Sequence, residues 1–448
     1  HTLAAQAYEQ AAQLVEQHSL AFALHHQLTI LQGWLDALPV GWRHQRLGLA
    51  LSELWLMLGR GDVVGMERTL TIVDTIVAGQ TSPLAEAVAG EVAAAHALVA
   101  SFQQNHHNTI TYAQQALAQL PTTAQQLRLA VLSGLGYGYY CAGDLVAAEQ
   151  TLRTALAASD ATTSYLVPRI TLLSMLAMTI EMTGRLQAAI DLLRQALTLG
   201  QVDGHYLPAA GVEVALHALG LRLYEFNALD EATHYVQIAH ELSLTTGNSM
   251  MQGHTLATLS LIAQAKGDLL GAQALLDEAH TLLRPLGVPS YAVIEGQRVF
   301  LWWKRGELAT ATAWAAGFVA TMPPRPQPMT AFATPYFSLA RIWIAEERFA
   351  EADSLLADLY QSATANHYHY YALWALILQS QSYAAQGQAA MARAPLAQAL
   401  RQAAPSGYMR SFIDEGEAMR LSLTDYGLRL SPQDEALAPY LQSLLTAF

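Results

Sequence analysis

Three short stretches carry residue types that chemistry could use. Gly134, Gly136 and Gly138, running into GDLVAAEQTL, have the look of a loop that hands a pyrophosphate to a helix N-terminus. Asp414 to Glu417, DEGE, could pass for paired catalytic carboxylates. His106-His107 and the NHYHYY stretch from Asn366 to Tyr371 gather imidazoles as metal sites do. Each fails on what must surround it. A phosphate loop needs a preceding strand and usually GK[ST], and neither is visible. The histidines have no acidic or cysteine partner at ligand spacing, so no metal is expected. DEGE reads instead as a helix start with acids near the positive end of the dipole. The single cysteine, Cys141, has no base placed beside it and reads as a buried thiol. No nucleophile, base and oxyanion donor stand at a recognisable spacing, so the chain is expected to be neither an enzyme nor a carrier of a cofactor.

The elements behind these residues follow from composition. The 448 residues are 52% hydrophobic and only 13% charged, and Ala, Leu and Gln fill most segments. That favours helices packed on helices. The net charge is -13, and Lys266 and Lys304 are the only lysines, which argues against binding nucleic acid or an anionic membrane surface. One cysteine excludes an intrachain disulfide, and no stretch looks like a signal peptide or a membrane span, so a cytoplasmic location is expected.

The glycines belong to a repeat. Turns at Gly61, Gly143, Gly184, Asn227, Gly267, Gly306, Glu347 and Gly387 are separated, from Gly143 onward, by 41, 43, 40, 39, 41 and 40 residues. The gap of 82 before Gly143 leaves room for one degenerate unit turning near Gln104. Five residues after the turns stand Ala148, Ala189, Ala232, Ala272, Ala311, Ala352 and Ala392; seven before them stand Gly136, Ala177, Gly220, Ser260, Ala340 and Ser380. Small residues at fixed offsets let the two helices of a hairpin approach closely. Gly136 then marks close packing, Gly143 the left-handed helix end and Asp144 the cap of the next helix. A period near 40 resembles the tetratricopeptide repeat with lengthened helices, and predicts an all-α, right-handed superhelical solenoid of about ten or eleven hairpins. The TMPPRPQPMT stretch, Thr321 to Thr330, reads as a Pro-rich connector.

Such repeats line their inner face with first-helix residues, thirteen, ten, six, three and two positions before the turn. That register selects Tyr137, Tyr140, Glu181, His217, Tyr224, Glu225, His254, Gln264 and Trp303 as candidate ligand-binding residues, with Cys141, Met178, Met182, Phe300, Lys304, Phe337, Arg341 and Trp374 on the same face. Rings, carboxylates and imidazoles converging in a groove suit a small polar ligand.

Several stretches carry a family resemblance: LTILQGWLDALPVGWRHQRLGLALSELWLMLGRGDV, LYEFNALDEATHYVQIAHEL, YFSLARIWIAEERFAEADSLL, and the closing APSGYMRSFIDEGEAMRLSL with YLQSLLTAF. They resemble the sensor region of MalT-like, LuxR-type transcriptional activators of the STAND signalling ATPase class. The resemblance implies a sensor solenoid over residues 1–405 and a helical closing segment over 406–448 that precedes a helix-turn-helix domain. It further implies a P-loop ATPase and a DNA reader outside this chain, through which the full-length protein would bind ATP and DNA. The expected function is to sense an effector, with a small molecule such as a carbohydrate as the first candidate and a peptide or partner domain as the alternative.

Overall fold

The computed structural model describes residues 2–24, 27–79, 86–103, 105–159, 166–286, 288–321 and 333–448. The expected turn near Gln104 and most of the Pro-rich connector lie outside the described residues. What is described is an all-α solenoid of paired helices. Nine hairpins follow one another among the described residues, from Leu47–Arg60 with Val63–Ala78 to His369–Ala385 with Ala389–Ala403. That is fewer than the ten or eleven expected. The ends account for the difference: Thr2–Leu24, Leu28–Asp36 and Val40–Arg43 before the series, and the short helices after Ala403, do not form equal pairs. A two-residue antiparallel ribbon, Gln201–Val202 with His205–Tyr206, turns on Asp203 and Gly204, both with positive φ.

All eight turn positions of the repeat have positive φ. Six are glycines, which adopt it without steric cost; Asn227 and Glu347 adopt it at 66° and 58°. Asp62, Asp144 and Asp268, one residue after their turns, each accept a hydrogen bond from the backbone N–H three residues on, at 2.8 to 2.9 Å. The alanines five after the turns are buried, and a Cβ on Gly136 would lie 2.6 Å from Leu152 Cδ2. The seam therefore closes at the distance that the small residues allow.

Glu347 is exposed, and its left-handed backbone lets the N–H groups of Glu347 and Arg348 close the helix end on the carbonyls of Ile344 and Trp343, at a steric cost that glycine would not incur. Glu347→Gly is expected to stabilise the chain by about 1 kcal/mol. A melting temperature unchanged or lowered relative to the parent would show that this turn carries no strain.

Residues 1–176 with 196–212 form one compact unit, and 177–195 with 213–448 a second. The first has a continuous apolar core that includes Leu31, Leu54, Met66 and Val131. In the second, Leu256, Leu276, Leu283 and Ile294 make a core between successive hairpins. The C-terminal helices Arg410–Ile413, Glu417–Leu428 and Ala438–Ala447 belong to this second unit.

Candidate functional site

In the first unit, Tyr137 and Tyr140 lie on the helix Gln125–Ala142, half-buried, with their rings stacked at 6.2 Å. Beside them Cys141 is buried, and burial pushes its thiol up to about 11 although the Tyr137 hydroxyl opposes the shift. This unit also holds a cavity of about 330 Å³, lined by Glu16, Gln17, Trp55, Glu91, Gln125 and Gln126 among others. Neither tyrosine lines it.

The other seven candidates are in the second unit, and three of them, Glu181, Tyr224 and Glu225, meet the chain's own closing segment. Residues 406–415 follow the last hairpin and lie along the ends of the first helices, where the register had put the inner face. Tyr408 and Phe412 are their apolar anchors, 1% and 0% exposed. The Tyr408 hydroxyl donates to the carbonyl of Glu181 at 3.2 Å, its ring stacks on Tyr370, and Ser406 Oγ donates to the carbonyl of Gly184 at 2.6 Å. The Met409 N–H donates to the carbonyl of Glu225 at 3.0 Å.

Around these anchors stand four acids and four bases. Glu181 is paired with Arg222, both buried; burial raises the Glu181 carboxyl and Arg222 opposes it. Asp414 accepts from the Tyr224 hydroxyl, from Arg410 and, at 3.0 Å, from Lys304 Nζ. Burial would raise Asp414, but Lys304 and Arg410 hold it below the usual aspartate value. Glu415 receives Arg341 through Nε at 2.9 Å and through a second nitrogen. Arg341 and Lys304 each lie 4.7 Å from the centre of the Phe300 ring, so one aromatic ring serves both cations. Glu225 Oε1 accepts from the N–H and the hydroxyl of Ser411 at 2.9 and 2.7 Å, and Oε2 accepts from Tyr370 at 3.3 Å. Trp374 Nε1 donates to Ser411 Oγ at 3.0 Å. With no cation against it, Glu225 is raised by burial to about 8, while Ser411 draws it back.

His217, His254 and Gln264 lie on neighbouring first helices. His217 Nε2 shares a hydrogen bond with Thr258 Oγ1 at 2.9 Å, and the two imidazoles are 6.2 Å apart. Burial lowers His217 to about 3, with His254 adding to it, and burial lowers His254 to about 4. His254 Nε2 and Gln264 Oε1 are buried polar atoms without a protein partner. Trp303 is half-buried and stacks on Phe300 at 5.6 Å.

The arrangement is one of binding: an aromatic face, two cations and several N–H and O–H donors meet an acceptor-rich strip of chain. The register brought Glu181, Tyr224, Glu225, Lys304, Arg341 and Trp374 to this place. It passed over Arg222, five before its turn, and Tyr370, seventeen before. The reading of DEGE as a helix start holds for Glu417 alone, while Asp414 ends the helix Arg410–Ile413 and Asp414 and Glu415 are the acids of the ion pairs. The NHYHYY stretch is structural, with Tyr368 buried and Tyr370 under Tyr408. The signal that could have found the closing strip was its pair of adjacent acids beside an otherwise unbalanced Lys304 and Arg341.

Known proteins share this architecture. The family profile of the MalT-like TPR region matches residues 90–427. The HTH-type transcriptional regulator MalT of Cronobacter sakazakii is 26% identical over 94% of this chain and 46% of its own length; that of Serratia proteamaculans is 24% identical over 94% and 46%. The chain thus spans about half the length of these curated relatives. Among solved structures, a Rap protein complexed with competence and sporulation factor aligns with a TM-score of 0.58 at 10% identity, covering 80% of this chain and 98% of its own. That likeness is one of fold. No helix among the described residues is long and apolar enough to cross a membrane. By the profile that spans most of its length and the regulators that align along it, the chain belongs to the family of MalT-like TPR regions.

Proposed function

We propose that this chain is the effector-sensing region of a MalT-like transcriptional activator, working in the cytoplasm as a sensor and not as an enzyme. In this reading residues 1–405 are the sensor solenoid and 406–448 the closing segment. A small molecule binds on the inner face, at positions drawn from Tyr137, Tyr140, Glu181, His217, Tyr224, Glu225, His254, Gln264 and Trp303. The closing segment relays the event to ATPase and DNA-binding domains of the full-length protein. One observation carries the reading: the strip 408–415 is bound to the same first-helix positions that the register assigns to an effector. A ligand that prefers the face without the strip would shift the strip's equilibrium, which is all that a switch requires. The unpartnered His254 Nε2 and Gln264 Oε1 support a polar ligand.

A second reading, a peptide or partner domain in the groove, is favoured by the same strip, because this face already holds a peptide segment. The structurally similar Rap protein was solved in complex with competence and sporulation factor.

The test is a thermal-shift screen of metabolites on the full chain, followed by calorimetry on Trp303→Ala. Loss of this half-buried ring is expected to weaken the effector roughly tenfold. Unchanged affinity would remove Trp303 from the site, and a screen in which only peptides shift the melt would transfer the function to the second reading.

A further inference from the structure

The atoms that the closing strip covers define what could replace it. With residues 408–415 away, Lys304 Nζ loses Asp414, Arg341 loses Glu415, and the hydroxyl of Tyr224 and Nε1 of Trp374 lose their acceptors. Those four are donors, and two of them are full cations. Glu225 is the one carboxylate of the face that would lose donors, the two of Ser411, and it keeps Tyr370; Glu181 keeps Arg222. The cations are not scattered: each lies 4.7 Å from the centre of the Phe300 ring, with Trp303 stacked on that same ring. The side chains of Lys304 and Arg341 are largely buried, so leaving them without counter-charge is costly. Their present counter-charges come from two consecutive residues, Asp414 and Glu415.

We infer that the effector admitted by the second unit is a small dianion, which takes the places of the Asp414 and Glu415 carboxylates on Lys304 and Arg341. This names the ligand class for the sensing role proposed above and rests on it. The strip then acts as the resident competitor, tethered to the face that the ligand needs. A neutral polyol would leave both cations unpaired and could not displace the strip without that penalty; a dicarboxylate or a phosphate ester supplies what the strip takes away. Competition of this kind couples binding to exposure of residues 408–415 with no separate hinge.

The full chain, titrated with succinate, with inorganic pyrophosphate and with a neutral trisaccharide, all at matched ionic strength, tests this. Calorimetry reads affinity, and amide hydrogen exchange reads the strip. In the variant Asp414→Asn with Glu415→Gln, which weakens the competitor, an acidic probe should bind at least tenfold more tightly than to the parent. Adding Lys304→Gln and Arg341→Gln should return it to the parent's level. In the parent, the same probe should speed exchange of amides 408–415 at least threefold, a readout that stands even where the acid-free variant does not fold. Success with succinate alone would identify carboxylates as the ligand groups, and success with pyrophosphate alone phosphates. No tightening in the acid-free variant, or tightening that survives loss of both cations, overturns the inference. Should the neutral sugar speed exchange while the acids do not, the sensing role stands and the anion assignment falls. Should the acids bind without changing the exchange of 408–415, they bind elsewhere and the inference falls, because an anion on Lys304 and Arg341 must displace the strip.

Discussion

Glu415→Ala destabilises the second unit by about 3–5 kcal/mol, the cost of leaving a buried guanidinium without its carboxylate. Arg341 is 9% exposed and Glu415 4%, and two nitrogens of the fork reach the carboxylate. The Phe300 and Trp374 rings flank the guanidinium, at 4.7 and 5.9 Å, and exclude the water that would otherwise replace the lost partner. Arg341→Ala leaves the buried Glu415 carboxylate without its partner and is expected to destabilise the unit as well. Replacing both, Arg341→Met with Glu415→Leu, should cost far less than the sum of the single changes. An apolar pair of similar volume removes the desolvation of two ions along with their attraction. Denaturant unfolding of the parent, the two single alanine variants and the double variant measures all of this. A Glu415→Ala variant within 1 kcal/mol of the parent would mean that the strip is held by Tyr408 and Phe412 alone, and that the ion pair only orders it.

The solenoid was written in a short-range code, and that is why it could be read. A turn, a small residue five later and another seven earlier are set by contacts within one hairpin, so they recur with the hairpin's period. Asn227 and Glu347 show how firmly the fold imposes the code, since both adopt the left-handed turn that glycine adopts elsewhere. The inner-face register was legible for the same reason and placed Tyr224, Glu225, Lys304 and Arg341 on one face. What lies on that face was not legible. Tyr224 and Asp414 are 190 residues apart in sequence, and Glu225 and Ser411 186, with no period relating them. DEGE was therefore judged by its neighbours in sequence, where adjacent acids suggest a helix start, and not by Lys304 and Arg341, which pair with it in the fold. Cation and acid were each visible; their pairing belongs to tertiary structure.

Between about pH 6.5 and 8 the chain loses stability as the pH rises, and Glu225 is the main reason. Its carboxyl is raised from about 4.5 to about 8 by burial, against the pull of Ser411's two donors, with the nearby charges of Asp414 and Glu181 adding to the rise. The folded chain therefore keeps a proton that the unfolded chain has released, and stability falls as the pH climbs from the unfolded value towards 8. One such proton is worth about 1.4 kcal/mol per pH unit, so Glu225 accounts for about 2 kcal/mol over this window. Glu181, raised by burial despite Arg222, acts in the same direction. Asp414, held below the usual value, contributes stability that is present at neutral pH and is lost only in strong acid. The histidines work the other way. His217 and His254, lowered by burial to about 3 and about 4, are neutral in the fold while the unfolded chain still binds protons near pH 6.5, so their contribution increases with pH and is complete only about one unit above that. Near and below pH 6.5 the two sets oppose each other and the slope is small; the opposition fades over about the next unit, beyond which the carboxyls act alone. Unfolding free energies at pH 6.5, 7.25 and 8 should thus decline for the parent, and Glu225→Gln should remove most of the decline, because an amide in that place accepts from Ser411 and has no proton to lose. The loss of the closing strip should follow the same curve, with hydrogen exchange of residues 408–415 rising towards pH 8 faster than the intrinsic rate. A parent whose stability is flat or rising from pH 6.5 to 8 would mean that Glu225 is already ionised in the fold, with the Ser411 donors sufficient to hold a buried carboxylate.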